Sequence, residues 1–256
     1  MKQLKALIFD VDGTMAETER DGHRVAFNRA FISMGLDWDW DEALYGKLLA
    51  VTGGKERIRY YLTEFNTDFV DNGDIDELII KLHAEKTKHY VALLSRHEIG
   101  LRPGVARLIA EARSTGLRVA IATTTTPANV TALLDSTLGS DSVNWFDCIA
   151  AGDIVPAKKP APDIFEYCLE QIGFSAEECL AFEDSGNGTH SSLAAGIPTL
   201  VTLNNYTVNE DFTGAISVLD HLGEEGNPCN VLQGENFEHS YVTMDLLRQL
   251  HQNNQA

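Results

Sequence analysis

The chain has 256 residues, 44% of them hydrophobic, and a formal net charge of −18 from 20 basic and 38 acidic side chains. That suffices for a sizeable core, in one large domain or in one domain carrying a smaller one. The acidic balance excludes the basic stripe of a nucleic-acid binder and opposes docking on an anionic membrane, and no apolar run reaches the roughly 18 residues of a membrane span.

Leu4 to Phe9 reads as a buried strand that runs into LIFDVDGTMAETE, with Asp10, Asp12, Glu17 and Glu19 inside ten residues. Residues 20 to 35 read as a helix, with Phe27, Ala30, Phe31 and Met34 on one face and Gly35 as its cap. Residues 41 to 95 continue as helical segments divided by the turn clusters VTGGK and VDNGD, and LRPG at 101 to 104 breaks the pattern. Strands and helices then alternate: a helix at 104–115, the strand RVAIA, a helix opened by the threonine run before Pro127, and the strand CIAAG. A helix with Ile164, Phe165, Cys168, Leu169 and Ile172 on one face follows, then the strands CLAFE, PTLVT and AISVL, and a tail helix from Val242 to Leu250. Short apolar strands alternating with amphipathic helices predict a doubly wound parallel α/β sheet, a Rossmann-like core of residues 1–16 and 98–256, with an α-helical cap inserted at 17–97.

Ligands of such sheets bind beyond the carboxyl ends of the strands. The residues there are Asp10, Asp12 and Thr14; Thr123, Thr124, Thr125 and Thr126; Lys158 and Lys159; and Glu183 and Asp184. Carboxylates from two strand ends make a hard oxygen site suited to Mg²⁺, and a metal lets them remain ionised together. Hydroxyls at a helix N-terminus and one lysine form an anion site. Together they describe a phosphoryl group being held and transferred. Lys158 is expected as a solvated neighbour, and Asp163 as the cap of the helix that follows it. Cys148, Cys168, Cys179 and Cys229 have no CxxC or zinc spacing and are expected as reduced thiols.

DVDGT, a strand ending in Thr123, KKPAPD and FEDS, in that order, resemble the four motifs of the haloacid dehalogenase superfamily. The resemblance implies Asp10 as nucleophile and Asp12 as general acid and base. It also implies Mg²⁺ held by Asp10, Glu183, Asp184 and the Asp12 carbonyl, and phosphoryl oxygens held by Thr123 and Lys159 with Thr124 and Asn129 nearby. AETE, TGGKERI, IATTTTPAN and KKPAPDI further resemble the CbbY-like group beside the beta-phosphoglucomutases, whose substrates are sugar bisphosphates such as xylulose 1,5-bisphosphate. In the cap, Gly54, Lys55 and Arg57 are expected as a mobile turn with outward cations for a second phosphate. Glu17 and His23 are expected at sugar hydroxyls, although the spacing from Glu19 to His23 is one residue longer than the pattern. The expected enzyme is a Mg²⁺-dependent phosphoric monoester hydrolase acting on a phosphorylated sugar. A sugar phosphomutase and a non-catalytic sugar-phosphate binder remain the alternatives. No nucleic-acid or membrane partner is expected; the N-terminal MKQLKALIFD shows no leader pattern, so a cytoplasmic protein is expected, and a monomer is the expected state.

Overall fold

The computed structural model describes residues 2–69, 73–97 and 99–255. Val70, Asp71 and Asn72 of the VDNGD cluster, and Glu98 at the expected return of the chain to the core, lie outside the described residues.

The strand β1 (Ala6–Phe9) is buried throughout. Its side chains alternate between the two faces of the sheet, Leu7 and Phe9 joining one core and Ala6 and Ile8 the other. A strand buried on both faces reads as a continuous apolar run, which is why it was legible. It pairs in parallel with β2 (Arg118–Thr123) on one side and β4 (Cys179–Glu183) on the other. β3 (Cys148–Ala151), β5 (Thr199–Thr202), β6 (Ser217–Leu219) and β7 (Val231–Gly234) complete a sheet of order β3-β2-β1-β4-β5-β6-β7. The first six strands are parallel, and β7 runs antiparallel to β6. β7 carries little apolar pattern and is mostly exposed, so the sequence did not show it.

Between β1 and β2 the chain forms α1 (Arg24–Ser33), α2 (Glu42–Leu48), α3 (Gly54–Glu64) and α4 (Ile75–Leu94). These helices close on their own core, in which Phe27, Phe31, Trp38, Trp40, Tyr45 and Tyr61 pack ring against ring. The remaining helices, α5 (Val105–Ser114), α6 (Pro127–Leu138), α7 (Asp163–Ile172), α8 (Gly186–Ala194) and α9 (Met244–Asn253), cover the sheet. Pro127 opens α6 at a position where no backbone donor is needed, and Gly173 closes α7 at φ 71°. Asp163 is the first residue of α7 rather than its cap: Pro162 holds that position, and no side chain bonds there. No helix among the described residues is long and apolar enough to cross a membrane.

Glu19–His23 forms a π-turn leading into α1. A π-turn spends five residues where an α-turn spends four. The extra residue between Glu19 and His23 is absorbed there, and His23 remains buried and inward-facing.

Candidate active site

The four strand ends converge as the parallel topology requires. Asp10 follows β1, and its N–H donates to the Phe182 carbonyl of β4 at 3.0 Å. Lys159, 5% exposed, donates to Asp10 Oδ1 and to Glu183 Oε1, both at 2.6 Å. Burial pushes the Asp10 carboxyl up, opposed by the Lys159 charge. Burial also lifts Glu183, to about 8, against the pull of Lys159. Lys159 itself stays above its ordinary range, because the two carboxylates outweigh its own desolvation. Asp184, also raised by burial, accepts from Thr14 Oγ1 at 3.0 Å and from Asn204 Nδ2 at 2.5 Å.

Ligand oxygens of Asp10, Glu183 and Asp184 lie within 4.8 Å of one another. Two glycines make this closeness possible. A Cβ on Gly188 would stand 1.9 Å from Glu183 Oε2. A Cβ on Gly13, whose φ of 87° is itself open to few other residues, would stand 2.2 Å from Asp184 Oδ2. An all-carboxylate cluster fits a hard cation such as Mg²⁺.

Asp12 belongs to a second network. Its Oδ1 accepts from Thr18 Oγ1 at 2.6 Å and meets His23 Nε2 at 2.8 Å. Burial alone would raise its pKa, but His23, Thr18 and the more distant charge of Lys86 bring it below the ordinary carboxylate range. His23 Nδ1 lies 2.8 Å from Lys86 Nζ, and the His23 ring stacks on Tyr90 with centroids 4.1 Å apart. An ammonium has only donors, so Nδ1 accepts and Nε2 carries the proton given to Asp12. His23 thus touches the carboxylate of Asp12, whereas the sequence placed it at the sugar.

Thr123, at 1% exposure, lies beside Asp10 and accepts from the Thr125 N–H at 3.3 Å through its hydroxyl. It lines, with Asp10, Asp12, Thr124, Lys159 and Asp184, a cleft of about 410 Å³. A smaller chamber of about 50 Å³ lies between the helical insertion and the sheet, and Lys55, Arg57, Lys86, Thr124, Thr126 and Lys158 are on its wall. Gly54 lines it too, with no room for a side chain against His83. Asp12, Glu19 and Thr124 line both cavities.

Four sequence expectations need correction. Glu17 does not reach the cleft: its carboxylate is 3.1 Å from Arg102 Nε and lines a separate surface groove. The segment leaving β1 alternates its side chains, so Thr18 faces Asp12 and Glu17 the opposite side. Glu19 faces the cleft instead, accepting from the Tyr45 hydroxyl at 2.5 Å. Arg57 is not outward but 7% exposed, donating to Tyr45 Oη at 2.8 Å and lying 3.6 Å from Glu19. Asn129 stands behind the cavities, bracing Thr125 Oγ1 at 3.0 Å. Lys158 is not solvated: it donates to the Gly152 carbonyl and to Asp153 Oδ1, both at 2.5 Å, while Lys55 holds the other Asp153 oxygen at 2.6 Å. Thr18, Tyr45, Lys86, Arg102 and Asn204 were not foreseen. Their partners lie 6 to 118 positions away in the chain, and no local spacing marks them.

Comparison with known proteins agrees with the motifs. Residues 4–196 match the family model of haloacid dehalogenase-like hydrolases. The plasmid-encoded protein CbbY of Cupriavidus necator is 49% identical over 225 residues, 88% of each chain. The crystal structure of CbbY from Rhodobacter sphaeroides in complex with xylulose-(1,5)bisphosphate superposes with a TM-score of 0.80 at 44% identity, over 85% of this chain and 94% of that one. Beta-phosphoglucomutase from Clostridium difficile, at 18% identity and a TM-score of 0.71, shares the fold over 98% of both chains. The chain belongs to the haloacid dehalogenase-like hydrolase family and is an enzyme of phosphatase type, with CbbY proteins among its relatives.

Proposed function

We propose that this enzyme is a Mg²⁺-dependent phosphatase of a sugar bisphosphate, of the class of xylulose 1,5-bisphosphate. The helical block 17–97 acts as a cap over the core 1–16 and 98–256. The observation that carries the proposal is the pair of joined cavities. One holds Asp10, Lys159 and the acidic cluster. The other gathers Lys55, Arg57 and Lys158, and on its wall Arg57 Nε and Thr126 Oγ1 are buried without a hydrogen-bond partner. Buried donors of this kind call for an acceptor, and a phosphate supplies several.

A carboxylate oxygen of Asp10 attacks phosphorus at one end of the substrate, and the bond from phosphorus to the ester oxygen breaks. Asp12, ionised in the unliganded site, takes up a proton from solvent as the phosphate ester binds and gives it to the departing sugar oxygen. Water then attacks the aspartyl-phosphate, Asp12 takes up the water proton, and phosphate leaves with the Asp10 carboxylate restored. Thr123 and Lys159 hold the phosphoryl oxygens, and His23 orients the Asp12 carboxylate. Asp10, Glu183, Asp184 and the Asp12 carbonyl would hold Mg²⁺, which when bound supplies charge for the phosphoryl oxygens. The second phosphate occupies the chamber of Lys55 and Arg57, and Glu19 faces the sugar between. The bisphosphate reading has support in the xylulose bisphosphate bound by the Rhodobacter sphaeroides relative.

A screen of phosphorylated sugars with phosphate release as readout tests the proposal. Release from sugar bisphosphates in preference to monophosphates is expected. Isomerisation of beta-glucose 1-phosphate without phosphate release would replace the phosphatase with a mutase.

A further inference from the structure

Glu17 and Arg102 face each other where the chain crosses between the helical insertion and the sheet. The two crossing segments are paired by the antiparallel bridge of Ala16 with Leu101 and by the Arg102 N–H to the Met15 carbonyl at 2.8 Å. Arg102 follows this bridge and is 7% exposed. Its guanidinium donates to four backbone carbonyls on three separate segments. Nη1 bonds to Gly13 O and to Thr202 O, the latter at 2.9 Å. Nη2 bonds to Leu203 O and to Asp220 O, the latter at 2.7 Å. Carbonyls offer no net charge, and the carboxylate on this guanidinium is that of Glu17, 3.1 Å from Nε.

Two of these carbonyls lead to the active centre. Gly13 is the turn between Asp12 and Thr14. Its N–H donates to Ala16 O at 2.8 Å, so Arg102 ties the turn at its other end. Leu203 precedes Asn204, whose Nδ2 donates to Asp184 at 2.5 Å. Glu17 in turn precedes Thr18, which bonds to Asp12. An Arg fork can hold several acceptors in one plane only while its own orientation is fixed, and the carboxylate of Glu17 meets it at Nε, 3.1 Å away.

We propose that Glu17 and Arg102 form a positioning pair: Glu17 orients the Arg102 fork, and the fork holds the Asp12–Gly13 turn and the Asn204 bracket of Asp184 in register for phosphoryl transfer. Glu17 acts through Arg102 and does not touch the substrate. The pairing rests on Asp12 working as acid and base, as proposed above, and is independent of which sugar is bound.

The test is steady-state hydrolysis of two substrates, p-nitrophenyl phosphate and xylulose 1,5-bisphosphate, by Glu17→Gln, Arg102→Lys and the double variant. Both substrates pass through the same attack of water assisted by Asp12. Glu17→Gln is therefore expected to lower kcat about tenfold on each, with KM within about twofold and an unchanged melting temperature, since the Glu17 side chain is 55% exposed. Arg102→Lys keeps the charge and loses the fork, so it should lose kcat as well. The double variant should be no slower than Arg102→Lys alone, because the two residues act in series. A rise in KM confined to the bisphosphate would make Glu17 a sugar ligand and overturn the pair. Unchanged kcat in Glu17→Gln, or additive losses in the double variant, would overturn it also. If wild-type enzyme released no phosphate from any sugar bisphosphate, the proposed substrate would fall while the nitrophenyl arm still decided the pair.

Discussion

His23 Nε2 stands 2.8 Å from Asp12 Oδ1, and it comes from the helical insertion while Asp12 comes from the end of the first strand. The carboxylate proposed above as the general acid is thus oriented by a side chain of the helical insertion. Replacement of His23 by Ala should lower kcat by about 10- to 100-fold with little change in KM, because the Asp12 carboxylate loses the partner that places it for proton transfer. Phosphate release under saturating substrate measures it. A KM effect at unchanged kcat would return His23 to the sugar.

Lys55→Ala together with Arg57→Ala removes two cations from the second chamber. Hydrogen bonds to charged groups contribute about 1.5–3 kcal/mol each. The expected result is a KM for a sugar bisphosphate raised by at least about tenfold, with a small phosphate ester hydrolysed nearly as before. Equal losses on both substrates would remove the second-phosphate assignment.

Gly188→Ala places a methyl 1.9 Å from Glu183 Oε2 in the present geometry. Glu183 is held on its other side by Lys159 at 2.6 Å, so it has little room to retreat. The variant is expected to fold and to lose most of its activity, with weaker Mg²⁺ binding by calorimetry. Wild-type affinity in Gly188→Ala would exclude Glu183 from the metal site.

Chelation with EDTA should abolish phosphate release, and added Mg²⁺ should restore it. Because a ligand that binds the folded chain stabilises it, Mg²⁺ should also raise the melting temperature in a concentration-dependent way. A chelated enzyme of full activity would exclude the metal.

Lys86 gives a pH signature. Burial lowers its ammonium from 10.5 to about 8, against the attraction of Asp12 and Glu19. Between those values the unfolded chain holds the extra proton, so folding stability rises with pH across that window. Below about 8 the net cost of keeping the buried ammonium charged is fully present, on the order of 3 kcal/mol. Lys86→Met should therefore lose ground against wild type in urea unfolding as pH rises from 8 towards 10. A stability difference that stays flat over that range would contradict the depressed Lys86.

The six parallel strands and the acids at their ends can be read from the residues alone. β1, β2 and β4 are apolar on both faces, and the residues that follow each of them sit at one edge because parallel strands share one direction. Asp10, Thr123, Glu183 and Asp184 were legible for that reason, and Lys159 from the KKPAPD run after β3. The tertiary structure alone decided which charges meet. Glu17 and Glu19 are two residues apart and look interchangeable in sequence, yet one goes to Arg102 and the other to Tyr45 and the cleft. The choice depends on the direction in which a short segment turns and on cations about 40 to 85 positions away. Arg57, read as an outward cation, is buried for the same reason, because α3 turns it toward Tyr45 and Glu19. Local spacing fixes which side chains share a face, whereas ion pairs form between faces, and only the folded chain brings those faces together.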